Sequence, residues 1–148
     1  MAVLGELASM EIWKDLAKVL GAFVLTVVIG WDREREEHTT GVRTFPIVGM
    51  ASCGYLLILN GTTADSSRVL QGLITGIGFV GAGAILKEGS TVRGTATAAS
   101  VWNAGAIGAS VALDHYGIGI ALALLNLLSM RALLPLKNRL DKEKKAES

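Results

Sequence analysis

The chain is poor in cysteine, proline and charge. Of its 148 residues one is cysteine and two are proline, and 18% are charged against 51% hydrophobic. A soluble domain usually carries about 25% charged residues. The single cysteine, Cys53, excludes an intramolecular disulfide framework, and no Cys/His set has the spacing of a zinc site. A formal net charge of +1 provides no basic footprint for nucleic acid. The apolar content excludes disorder.

What is present is a series of long, barely charged runs. Five read as helical spans: Leu16–Trp31, Phe45–Leu59, Val69–Leu86, Thr95–Leu113 and Gly117–Leu134. Together they take more than half of the chain. A helix crossing a bilayer needs roughly 17–25 apolar residues. The first two runs are short and need flanking polar residues, a thinned bilayer or snorkelling stems to cross. The second is also readable as re-entrant. The alternative, a soluble bundle of buried helices, leaves little solvated surface for so many apolar runs.

The connecting segments test the count. Arg33, Arg35 and Arg43 follow the first run, and Lys87 and Arg93 follow the third. Arg131, Lys137, Arg139, Lys142, Lys144 and Lys145 close the chain. Lys14, Lys18 and Arg68 fall in the alternate segments. Placing the larger group inside satisfies the excess of Lys and Arg found on the cytoplasmic side. The expectation is an all-α, polytopic transmembrane bundle of about five spans, with its N-terminus outside and its C-terminus cytoplasmic. Residues 1–135 form the membrane domain and 136–148 a charged cytoplasmic tail. Trp13, Trp31 and Tyr116 fall near the expected interfaces. No cleavable signal peptide is evident, because the N-terminus carries Glu6 and Glu11 rather than a basic region.

Asp32 opens the run Asp32-Arg33-Glu34-Arg35-Glu36-Glu37-His38 at the inner end of the first span. On a helix Asp32 meets Arg35, and Arg33 meets Glu36 and Glu37. Such a run is either a solvated helix end or a polar cluster turned into the mouth of the bundle, since ionisable groups at membrane depth face protein or water. The cluster reading gathers Asp32, Arg33, Arg43, Thr44, Arg93 and Thr97, with Asp32 paired to Arg43 or Arg93.

Gly72, Gly76, Gly78, Gly81 and Gly83 crowd the third run. Gly76-x-Gly78-x-x-Gly81 has the letters of a dinucleotide fingerprint but neither the strand–turn–helix context nor the following acidic residue. Close helix packing is the favoured reading, with Ala104 and Gly108 on the fourth run forming a second small-residue face. A locally broken helix that lines an ion path is the other reading. Lys87–Gly94 reads as a short polar loop with two turn-permitting glycines. Asn103 and Asn126 lie within spans, where amides usually bond across helices. His38 and His115 are expected on opposite sides, so no dyad forms within one subunit, and Cys53 lies in an apolar run and reads as a small hydrophobe. Neither enzymatic activity nor a cofactor is expected.

Three blocks resemble the MgtC/SapB family of bacterial membrane proteins: Gly30-Trp31-Asp32-Arg33-Glu34 with Gly41-Val42-Arg43-Thr44-Phe45; Gly76 through Leu86; and Val92-Arg93-Gly94-Thr95-Ala96-Thr97 through Trp102. The family often has Glu where this chain has Asp32. Many members carry a cytoplasmic C-terminal domain, which makes this chain similar to a short form. The resemblance implies a multi-pass protein of the bacterial inner membrane, associated with growth at low magnesium and survival in host cells. It implies either a regulator of other membrane machinery or a transporter or channel for magnesium or another cation. Magnesium sites usually need carboxylates, and no acidic residue lies well inside a span. The regulator is therefore the favoured expectation, with the bilayer, a second copy or another membrane protein as partner and the ligand of any metal site left unknown.

Overall fold

The apolar runs fold as helices, and the polar segment between the third and fourth folds as a hairpin. The computed structural model describes residues 2–35, 41–59, 66–89, 91–135 and 139. In order they form α1 (Ala2–Glu34), α2 (Thr44–Ile58), α3 (Ser66–Ala82), β1 (Leu86–Glu88), β2 (Thr91–Arg93), α4 (Thr95–Ala112) and α5 (Tyr116–Ala132). Helix α4 is the hub. It packs against all four other helices, most extensively against α2.

Two helix ends and the connecting loop differ most from the sequence expectation. Helix α1 starts at Ala2 rather than near Leu16, so its 33 residues rise about 50 Å. Polar residues such as Glu11, Lys14 and Asp15 interrupt the apolar run without interrupting the helix. Helix α3 stops at Ala82 rather than Leu86, because Ala84 N–H and Ile85 N–H turn back to Gly81 and Ala82 carbonyls at 3.0 and 3.1 Å. The polar loop is an antiparallel ribbon, with Leu86 opposite Arg93 and Glu88 opposite Thr91, so the described residues form five helices plus this small sheet rather than helices alone. Gly94 closes the ribbon in the left-handed region at φ 83°, and a Cβ there would collide with the Ala84 carbonyl.

Up-and-down connectivity gives the bundle two ends. Asp32, Thr44, the hairpin, Thr95 and Arg131 lie at one, which we call the hairpin end. Lys18 and Asp114 lie at the other, joined by a 2.8 Å ion pair.

The interior mixes small and hydroxyl-bearing side chains with apolar ones. Its fully buried residues include Thr26, Ser52, Cys53 and Ser100 beside Ile29, Phe45, Val101, Ile107 and Val111. Thr26 Oγ1 satisfies itself on the Ala22 carbonyl one turn back, at 2.6 Å. On α5 the buried positions are Gly119, Ala123 and Asn126, while Leu124, Leu125 and Leu128 face outward. Among the described residues no helix is long and apolar enough to cross a membrane.

Candidate functional site

Asp32 sits in the last turn of α1 with its side chain 8% exposed. Arg131, from the last turn of α5, places both Nε and an Nη at 2.7 Å from Asp32 Oδ1. Arg33 Nη2 donates to Oδ2 at 3.3 Å, and Arg33 is itself 3% exposed. Both carboxylate oxygens are thus engaged by guanidinium groups, one from the neighbouring residue and one from a helix 99 residues away in the chain. The result is a latch between the C-terminal ends of α1 and α5. Arg131 keeps 66% of its side chain exposed, so the pair is half solvated and its strength is that of a partly screened bridge.

The partner of Asp32 is the main correction to the sequence expectation, which named Arg43 or Arg93. Both of those are exposed, Arg43 at the N-cap of α2 and Arg93 on β2. Thr44 is half-buried. Thr97 is 3% exposed, and its hydroxyl has no hydrogen-bond partner. The structure therefore buries Asp32, Arg33 and Thr97 at the hairpin end and leaves Arg43 and Arg93 on its surface. Arg131 carried one usable signal: it lies a turn inside the last apolar run, on the side where Asp32 is expected. The expected partners Glu36 and Glu37 of Arg33 lie outside the described residues, as do His38 and residues 136–138 and 140–148 of the tail. Arg35 instead stands over the Trp31 ring at 5.8 Å.

Two helix amides, Asn103 and Asn126, bridge α4 and α5. Ser100 Oγ donates to Asn126 Oδ1 at 3.0 Å, and Asn103 Nδ2 donates to the Leu122 carbonyl at 3.2 Å. These bonds set the antiparallel register of the two helices, which brings the start of α4 level with the last turn of α5.

The glycines divide by function. Gly108 and Gly105 are buried on α4. A Cβ on Gly108 would strike the Gly49 carbonyl, and one on Gly105 would strike Ile77 Cδ1. Gly49 in turn lies where a Cβ would stand 2.7 Å from Thr26 Oγ1. Gly49 and Gly105 are thus close-packing residues that the sequence did not single out. Ala104 is fully buried beside them. On α3 only Gly81 is pressed by another helix, 3.0 Å from the Ala98 carbonyl, while Gly83 meets its own Val80 carbonyl. Gly72, Gly76 and Gly78 have nothing within 4 Å of where a Cβ would stand, so their spacing does not serve packing within this chain.

The opposite end carries a second polar group that the sequence did not assemble. Lys18 Nζ reaches both the Ala112 carbonyl (3.2 Å) and Asp114 Oδ2 (2.8 Å), and the Tyr116 hydroxyl donates to Asp114 Oδ1 at 2.8 Å. The bonds from Lys18 and Tyr116 hold the Asp114 carboxyl below its ordinary range. Asp114 also adopts φ 62°, the left-handed conformation that ends a helix, which Asp tolerates better than most residues.

Among the described residues no group of three or more His, Cys, Asp and Glu is placed to hold a metal ion. The chemistry of the Asp32 site is ion pairing between helix ends.

The sequence comparisons agree with one another. The MgtC family profile matches residues 19–139. Protein MgtC of Brucella abortus is 39% identical over 103 residues, covering 66% of this chain and 43% of that protein. Protein MgtC of Salmonella typhimurium is 34% identical over 107 residues, covering 72% and 46%. An uncharacterized protein of Synechocystis is 33% identical over 129 residues, covering 86% and 55%. The chain spans about half the length of the curated relatives it matches. No solved structure matches it.

Proposed function

Because this chain belongs to the MgtC family, we propose that it is a multi-pass protein of the bacterial inner membrane. In this reading it regulates other membrane machinery during magnesium-limited growth and does not itself carry the ion. The observation that carries membrane residence is the broad set of large apolar side chains on the outer faces of the helices. Thr26, Ser52, Ser100, Ala104, Gly105 and Gly108 share the interior with Ile29, Phe45, Val101, Ile107 and Val111, while Phe79, Trp102, Leu124, Leu125 and Leu128 face outward. Soluble folds bury large apolar residues and rarely leave broad apolar patches. Lipid removes the drive to bury leucine and favours small residues where helices touch.

Helices of 15–18 residues rise about 22–27 Å against a hydrocarbon core of about 30 Å. Exposed Ile85, Leu86, Leu133 and Leu134 beyond the helix ends, or local thinning, supply the remainder. The hairpin end carries Arg33, Arg35, Arg43, Lys87, Arg93 and Arg131 and is the cytoplasmic one in this reading.

Regulation is favoured over transport by the state of Asp32. A cation using this carboxylate must displace guanidinium contacts on both of its oxygens, and magnesium dehydrates reluctantly even at open carboxylates. The partners of the regulator are the bilayer and a second membrane protein or another copy of the chain. Growth at limiting magnesium, measured together with cellular magnesium uptake in a deletion strain, separates the readings. A regulator gives a growth defect with an unchanged uptake rate, and a transporter loses both together.

A further inference from the structure

Helices α4 and α5 leave an open groove of about 250 Å³ between their outer faces, lined by Ala99, Ser100, Asn103, Leu125, Asn126 and Ser129 among others. Its two amides are only half used inside the chain. Asn103 donates from Nδ2 to the Leu122 carbonyl, and among the described residues no donor reaches its Oδ1. Asn126 accepts at Oδ1 from Ser100, and its Nδ2 finds no acceptor there. Asn126 is 8% exposed, and what it shows opens on the groove. The face thus presents one amide acceptor and one amide donor. Ser100, which holds Asn126, lies three residues from Asn103 on α4, so donor and acceptor stand about 4.5 Å apart along the axis.

Their depth makes these atoms costly. Asn103 is the ninth of the 18 residues of α4, about 12–14 Å from either helix end. Trp102, Leu124, Leu125 and Leu128 around it are exposed and apolar. In hydrocarbon no water reaches such a site, and only protein can satisfy the free valences. The occupant must therefore bring a donor and an acceptor to this depth. The bilayer gives every copy of the chain the same depth and orientation. A second copy, turned about a twofold axis along the membrane normal, meets the face with the same residues at the same level. A face with one amide donor and one amide acceptor is complementary to itself under that rotation.

We propose that two copies of the chain pair through the α4–α5 groove, each copy's Asn103 Oδ1 accepting from the partner's Asn126 Nδ2. This rests on the membrane reading above and names a second copy as the partner. The first test is proximity. Cys53, the single cysteine, is fully buried, so Ala99→Cys adds the accessible thiol. A short bifunctional maleimide added to isolated membranes is expected to link Ala99→Cys chains into a product of twice the chain's mass. Ile47→Cys, exposed on α2 outside the groove, is expected to stay unlinked. The second test is the dissociation constant, from sedimentation equilibrium of the full chain in density-matched detergent. Asn103→Ala should weaken association about tenfold, the loss of two symmetry-related interhelical bonds of the strength found in membranes. Ala99→Phe breaks no hydrogen bond and fills the groove, and should leave a monomer with native helical circular dichroism. Ile47→Phe should leave the dimer intact.

A native chain that is monomeric at every concentration overturns the proposal. So does a dissociation constant indifferent to Asn103→Ala and Ala99→Phe, cross-linking as strong from Ile47→Cys, or a cross-linked product that contains a different protein. Alkaline extraction of the cell membranes keeps the two failures apart. Protein released by alkali refutes the membrane reading itself, whereas protein that stays in the membrane as a monomer refutes only the pairing.

Discussion

Replacing Gly108 with alanine tests the packing at the centre of the bundle. The added methyl would land on the Gly49 carbonyl, 2.9 Å from the Gly49 carbonyl carbon and 3.1 Å from Ser52 Cβ. The obstacle is backbone, so α2 and α4 must separate along their closest interface. Overpacking of this kind costs about 1–3 kcal/mol, and the upper end applies where no side chain can rotate away. Alanine returns about 1 kcal/mol of helix propensity over glycine. The expected net loss is therefore about 2 kcal/mol. Gly76→Ala is the control. It meets nothing within 4 Å and is expected to be neutral or to stabilise by up to about 1 kcal/mol. Reversible unfolding in detergent, followed by helical circular dichroism, reads both. A Gly108→Ala protein as stable as the native one, or a Gly76→Ala protein equally destabilised, refutes the division of the glycines into packed and open.

Asp32→Asn leaves buried Arg33 and largely exposed Arg131 facing a neutral amide. It should cost about 2 kcal/mol in the same assay, a buried-pair loss discounted for the exposure of Arg131, whereas Arg35→Gln should cost less than about 1 kcal/mol. A double-mutant cycle on Ser100→Ala and Asn126→Ala should give a coupling of about 0.6–1.7 kcal/mol across α4 and α5, and zero coupling would refute the bridge. The Asp114 carboxyl is held below its ordinary range, so its contribution is complete above about pH 4 and disappears as pH falls through the lowered value. Asp114→Asn should therefore weaken the protein slightly at neutral pH and make no difference in strong acid, as read by unfolding midpoints across pH.

The positions of α2, α4 and α5 were legible because apolar runs bounded by polar residues mark helices in any setting. The ends of α1 and α3 were not. Hydropathy fades before the helix does at Glu11–Asp15, and at Leu86 it cannot tell the last turn of a helix from the first residue of a strand. The place of Asp32 beside the first apolar run left a solvated helix end and an inward-turned cluster equally open, and the structure buries it. Its partner was not legible, because the register between α1 and α5 arises from packing through α4 and leaves no trace in local spacing. The same reason explains the glycines. A four-residue repeat marked Gly72 and Gly76, which face open space. In the working contact, Gly49 against Gly108, the repeat Ala104–Gly108 announced one half, while Gly49 is a single glycine on α2 with no repeat to announce it.

The central claim is that the protein acts in the membrane without conducting the ion, with Asp32 serving as a latch to Arg131. The most direct measurement is magnesium flux into proteoliposomes loaded with a magnesium-sensitive dye, comparing the native chain with Asp32→Asn, both shown to be folded and inserted. Neither protein is expected to give flux above empty liposomes. Saturable uptake by the native chain that is lost in Asp32→Asn would contradict the claim and make Asp32 a pathway residue.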